Sequence, residues 1–293
     1  MLDSKRMILL LRLSCFCLFF GRAWQHLVWD APYRSLFWDE ALMTPIVESL
    51  LGQSWSEYAT SSSANAWIDN FIHVLGLLYA FSAVLCLMPI RIVTRLKSLL
   101  LVNTISLFIL ALLYSKERDY QLGMGIEFAA QFCSPLLLYL AVRNQLASVP
   151  FQVLIKTAVI GTLVGHGLYA IGYYPVPGNF IDMTIMIMGV RQPVAMHFLF
   201  VFGVIDLLLS IGILWKKTEV LCLAYAGVWG FVTAMARPVA FFDRHDAWST
   251  LNQWLPEFIM RMPHAVLPLV ALVLLFPVKD QVRGLASPVD ART

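Results

Sequence analysis

The side chains in this chain that could do chemistry are few, and they sit in apolar surroundings. Arg22 and His26 are four residues apart, as are Asp69 and His73, Glu127 and Gln131, and Glu257 and Arg261, so each pair shares one helix face. His166 and Tyr169, three apart, join them, with His197, Arg237 and His264. Imidazoles that titrate near neutrality can pass protons or hydrogen-bond a carbonyl. A guanidinium can grip an anionic or polar head with two prongs, and a carboxylate beside it stays ionised. The set therefore suits recognition of a small polar head group. Trp24, Tyr169, Tyr173 and Phe198 could flank a flat ring.

Other chemistries find no support. The chain has no phosphate-cradling glycine loop, no His-Glu-x-x-His and no Gly-x-Ser-x-Gly. Its five cysteines, Cys15, Cys17, Cys86, Cys133 and Cys222, lie in apolar runs without a Cys-x-x-Cys pair, which argues against a metal site or a disulfide framework. A net charge of +3 offers no basic face for nucleic acid. A bis-histidine haem is disfavoured, because no histidine pair stands at mid-depth beside a groove of small residues.

The elements that must position these groups are membrane helices. Of 293 residues, 59% are hydrophobic and 13% charged, about half the charged share of a soluble protein, and mean hydropathy is +0.74. A helix crossing about 30 Å of hydrocarbon needs about 20 mostly apolar residues. Eight segments qualify, near 7–28, 67–89, 95–114, 121–142, 151–172, 193–215, 218–236 and 257–277. The first lacks a cleavage site and reads as a retained helix. The expected fold class is all-α, a polytopic membrane protein whose partner is the lipid bilayer.

The distribution of charge orients it. Lys5, Arg6, Arg91, Arg95, Lys97, Arg143, Lys156, Lys216 and Lys217 fall on one side and most acids on the other, which predicts both termini in the cytoplasm and a place in the inner (cytoplasmic) membrane. The outer loop 29–66, with Trp29, Trp38 and Trp55, suits interfacial helices or a re-entrant segment.

Eight spans invite a search for duplication. Glu127-Phe128…Gln131 and Glu257-Phe258…Arg261 open the fourth and eighth spans. Gly21 and Gly165 align the first with the fifth, and Gly76 and Gly203 the second with the sixth. This predicts two parallel four-helix repeats, 1–145 with the long outer loop and 146–293 with a short cytoplasmic tail. Within the second, Gly203-Val-Ile-Asp206-Leu-Leu-Leu-Ser-Ile-Gly212-Ile-Leu resembles the second helix of the DoxX-like family of four-helix membrane proteins. Arg237-Pro238 and Glu257…Arg261…His264 are consistent with that likeness, which is clearest over 151–277. Tyr79 departs from it, standing where the first unit would parallel Asp206, and the Trp-rich loop has no counterpart in the minimal unit. A more distant likeness to carboxylase-like membrane domains stands beside it.

The resemblance implies a membrane redox subunit that handles a quinone, with an exported or membrane-bound redox partner. Placed at 1.5 Å per residue, the ionisable groups converge on a layer in the outer third, contributed by all helices except the third, with Asp206 alone near the bilayer centre. The expected ligand set is Arg22, His26, His73, Glu127, Gln131, His166, Tyr169, His197, Arg237, Glu257, Arg261 and His264, around a pocket for a quinone or similar small ligand. Whether the protein is an enzyme stays open. So do two alternatives: a non-catalytic assembly protein whose polar layer locks the helices together, and a small-solute transporter coupled through Asp206. The second lacks visible broken helices or a midplane partner for that acid.

Overall fold

A computed structural model describes residues 2–275, so the expected cytoplasmic tail lies outside the described residues. In chain order the helices are α1 (Leu2–Val28), α2 (Arg34–Phe37), α3 (Glu40–Ile46), a π-helical turn (Val47–Leu51), α4 (Trp55–Ala59), α5 (Ser62–Leu87), α6 (Ile90–Arg95), α7 (Ser98–Lys116), α8 (Leu122–Glu127) and α9 (Ala129–Val142). They continue as α10 (Val149–Ala170), α11 (Gly178–Met188), α12 (Gln192–Gly212), α13 (Glu219–Ala240), α14 (Ala247–Ile259) and α15 (Met262–Leu274). There is no strand among the described residues. Eight stretches are long and apolar enough to cross a membrane: α1, α5, α7, α8–α9, α10, α12, α13 and α14–α15. The chain is an all-α, multi-pass membrane protein.

Capping residues explain where helices begin earlier than apolarity alone suggests. Ser61 accepts the Ala64 N–H at 3.3 Å, so α5 starts at Ser62 instead of 67. Asp246 accepts the Ser249 N–H at 3.3 Å and opens α14 ten residues before the expected start of the last span. Within the outer loop, Ser54 and Glu57 form a reciprocal capping box at α4. The eleven-residue α11 is too short to cross a bilayer and follows Pro175 and Pro177, so hydropathy reads it as a connection.

The fourth and eighth crossings are interrupted. Pro263 has no N–H for the Ile259 carbonyl and its ring would strike it, which separates α14 from α15. Nearby carbonyls are taken by side chains: Arg261 Nη1 donates to Glu257 O at 2.8 Å and His264 Nδ1 donates to Arg261 O at 2.8 Å. At the α8–α9 break the Ala130 N–H donates to Thr162 Oγ1 of α10 at 3.0 Å. In a bilayer such breaks persist only where protein groups satisfy the backbone.

Close approaches set the helices' rotation. A Cβ on Gly165 would lie 2.6 Å from Glu127 N and 2.7 Å from Gly123 O, so α10 touches the α8–α9 break backbone to backbone. Gly21 brings α1 similarly close to Pro256 O of α14 and to Met260 just after it. Gly76 of α5 lies against His26 and Leu27 of α1, and Gly203 of α12 against Ala170 and Ile171 of α10. The contacts thus recur between the halves of the chain, yet α1 and α10 each rest on the other half's fourth crossing. The halves share one apolar core. These contacts put Glu127 opposite Met260, three residues from the Glu127–Glu257 register drawn from sequence, because the glycines and not the carboxylates set the depth.

Candidate functional site

Three cavities meet beneath the helix breaks. The first, about 600 Å³ counted to its mouth, is polar; Glu127, His166, Asp206, Arg237, Arg261 and His264 line it, with Trp229, Gly230 and Thr233 of α13. Its interior is narrow, with room for only a few water molecules. A second, of about 760 Å³, is an apolar groove walled by Phe180, Met183 and Ile187 of α11, Phe198 and Phe202 of α12, and α13. A vestibule of about 690 Å³ holds Arg22, Glu117, Arg118, Glu127, Arg237, Glu257 and Arg261. Burial raises the Glu117 carboxyl above its ordinary range.

Geometry joins the polar groups into two networks. His166 Nδ1 donates to Asp206 Oδ2 at 2.8 Å, linking α10 to α12. That contact gives Asp206, expected to stand alone, a partner at its own level. Glu257 pairs with Arg261 and lies 3.8 Å from Arg237 Nε, so two guanidiniums share one carboxylate. Arg22, 1% exposed, has no carboxylate partner among the described residues. It donates to Gln131 Oε1 at 2.6 Å and Gln25 Oε1 at 2.7 Å, while the rings of Phe128 and Tyr114 cover its guanidinium. His26 donates from Nδ1 to Arg22 O at 2.7 Å and meets the Tyr79 ring edge-on.

Of the twelve expected ligand residues, Glu127, His166, Arg237, Arg261 and His264 share the polar cavity, joined by Asp206. Arg22 and Glu257 face the vestibule, with Gln131 and His26 behind Arg22. Three expectations need correction. His73 and His197 are exposed on the outer surfaces of α5 and α12, beside exposed Val74 and Leu77 and beside Met196 and Phe200. A four-residue spacing fixes a shared face but not which way that face turns. Tyr169 is buried outside the polar cavity, where its hydroxyl donates to Gln121 Oε1 at 2.9 Å.

Other residues were missed. Trp229, Thr233 and Arg237 recur every four residues on one face of α13, a signal the ionisable residues drew attention away from. Tyr114 brings the third crossing into the layer, which was expected to receive nothing from it: Gln25 Nε2 donates to Tyr114 Oη at 2.8 Å.

Two polar atoms of the first cavity are buried with no hydrogen-bond partner, Asp206 Oδ1 and Trp229 Nε1. Among the described residues no His, Cys, Asp and Glu side chains gather as a metal-binding group. All five cysteines are free thiols. No protein-family model, curated protein or solved structure matches this chain.

Proposed function

We propose that the chain is an integral membrane subunit that holds a lipid-soluble redox carrier of the quinone type, head in the polar cavity and tail along the groove beneath α11. One observation carries this reading: the two cavities share His166, Trp229, Thr233 and Arg237, so a single amphiphile can occupy both. The groove walled by α11, α12 and α13 has the volume of a small-molecule site, and the polar groups converge at one end of it only, where the narrow polar cavity admits the polar edge of a head group.

A quinone supplies two-electron chemistry coupled to proton exchange at its ring oxygens. His166, held through Nδ1 by Asp206, keeps Nε2 for a ring oxygen and for proton exchange. Arg237, at the junction of the cavities, orients the head. Glu127 lines both the polar cavity and the vestibule and sets the charge between them. The distribution of Lys and Arg supports an inner-membrane location with cytoplasmic termini, and the likeness to DoxX-like proteins supports electrons exchanged with an exported or membrane-bound redox partner.

The test is a titration of the purified full chain in nanodiscs with a short-chain ubiquinone, read as thermal stabilisation. Saturable stabilisation is expected, and Ala236→Phe, which fills the groove without touching a charge, should abolish it while helicity is retained. No saturable response in the native protein removes the proposal.

Two observations keep rivals in view. Arg261 and His264 bond backbone carbonyls beside the α14–α15 break, which favours a locking role for those two. Interrupted crossings beside a paired Asp206 are also features of transporters. Locking predicts loss of abundance without a separable loss of binding. Transport predicts ion-driven solute uptake into vesicles that Asp206→Asn abolishes.

A further inference from the structure

The two orphaned atoms of the polar cavity say which form of an amphiphile fits. With His166 Nδ1–H donating to Oδ2, the second oxygen of Asp206 is an acceptor without a donor, and the residue is fully buried. Trp229 Nε1 is a donor without an acceptor, and Trp229 lies where the polar cavity opens into the groove. Buried polar groups left unpaired are costly, so the favoured occupant satisfies both.

A carbonyl oxygen can accept from the indole N–H, but it sets lone pairs against lone pairs at Asp206. A carboxylate or phosphate head does the same with a full charge. A hydroxyl accepts through its oxygen and donates through its proton, so hydroxyl groups on a ring satisfy either atom. The groove, lined by Phe180, Met183, Phe198 and Phe202, requires that these hydroxyls sit on an apolar body.

We infer that the site captures the reduced, hydroxyl-bearing form of its carrier, a quinol, in preference to the quinone. The inference rests on the proposed function and adds its direction: the chain receives reduced carrier from the membrane. Arg237 of α13 and His264 of α15, which also line the cavity, then face an uncharged head whose protons are still in place.

The test compares ubiquinol-1, kept reduced under anaerobic conditions, with ubiquinone-1 on the full chain in nanodiscs. The expected result is half-maximal thermal stabilisation at a roughly tenfold lower concentration of the quinol, the scale set by leaving one buried acceptor unpaired. Asp206→Asn can turn an amide N–H towards a carbonyl, and it should remove or invert the preference. Equal or tighter binding of the quinone by the native protein overturns the inference and leaves the binding proposal standing. So does an Asp206→Asn protein that binds yet keeps the quinol preference. If neither form stabilises the protein, the proposed function itself falls.

Discussion

His166 and Asp206, forty residues apart in the chain, are joined by a 2.8 Å hydrogen bond that ties α10 to α12 at the floor of the polar cavity. The positions that the glycine register of the sequence sets beside them are Arg22 and Tyr79: Gly21 and Gly165 precede Arg22 and His166, and Gly76 and Gly203 lie three residues before Tyr79 and Asp206, all four glycines at close helix approaches. There, Tyr79 bonds Ser106 at 2.7 Å and Arg22 turns to amides. The same kind of glycine contact thus accompanies an imidazole–carboxylate pair at His166 and Asp206 and an aromatic-covered guanidinium, hydrogen-bonded to amides, at Arg22.

The pair should be energetically coupled. Asp206→Ala leaves His166 Nδ1 without its acceptor, and His166→Leu leaves a buried carboxylate alone. Each is expected to destabilise the protein, with a coupling of about 1–2 kcal/mol between them in a double-mutant cycle. Unfolding in mixed micelles measures it. Strict additivity would mean that the bond contributes nothing.

The close approach at Gly165 gives a steric prediction. A methyl group there meets Glu127 N at 2.6 Å, backbone against backbone, so Gly165→Ala should cost about 1–3 kcal/mol or prevent assembly. Gly178, with nothing within 4 Å of a Cβ, is the control: Gly178→Ala should leave the melting temperature unchanged.

Histidines sort by facing. His73→Ala and His197→Ala remove exposed rings and should change stability by less than about 0.5 kcal/mol, with no effect on quinone or quinol titration. His166→Ala should abolish the titration. Loss of binding in His197→Ala would show that the functional cavity lies elsewhere.

The outer loop carries a pH signature. Lys116 Nζ, 2.5 Å from Asp39 Oδ2, and the Leu42 N–H hold the Asp39 carboxyl below its ordinary range. A depressed carboxyl contributes stability that is complete above its unfolded value, near 3.9, and is lost as pH falls through the lower folded value. Hydrogen exchange over residues 39–60 should therefore quicken below about pH 4. Lys116→Met should show the quicker exchange already at neutral pH, with the acid step reduced.

The eight crossings were legible in the sequence because membrane insertion reads a local property: some twenty apolar residues suffice wherever the rest of the chain goes. The residue types of the polar layer were legible too, since an ionisable group in an apolar run stands out without a structure. The boundary at Ala247 was not, because Trp248 to Trp254 mixes polar and aromatic residues and becomes helix through the Asp246 cap and contact with α1 and α13.

What only the tertiary structure decided was facing and partnership. His73 and His166 look alike in a sequence, each an imidazole inside an apolar span. A single residue's turn of a helix, about 100°, separates an exposed ring from one in a cavity, and the close approaches at Gly76, to side chains of α1, and at Gly165, to the backbone of the α8–α9 break, set that turn. The helix breaks that place Glu127 and Arg261 beside the cavity persist because Thr162, Arg261 and His264 occupy the nearby backbone groups. Such contacts between distant segments exist only once the helices have met.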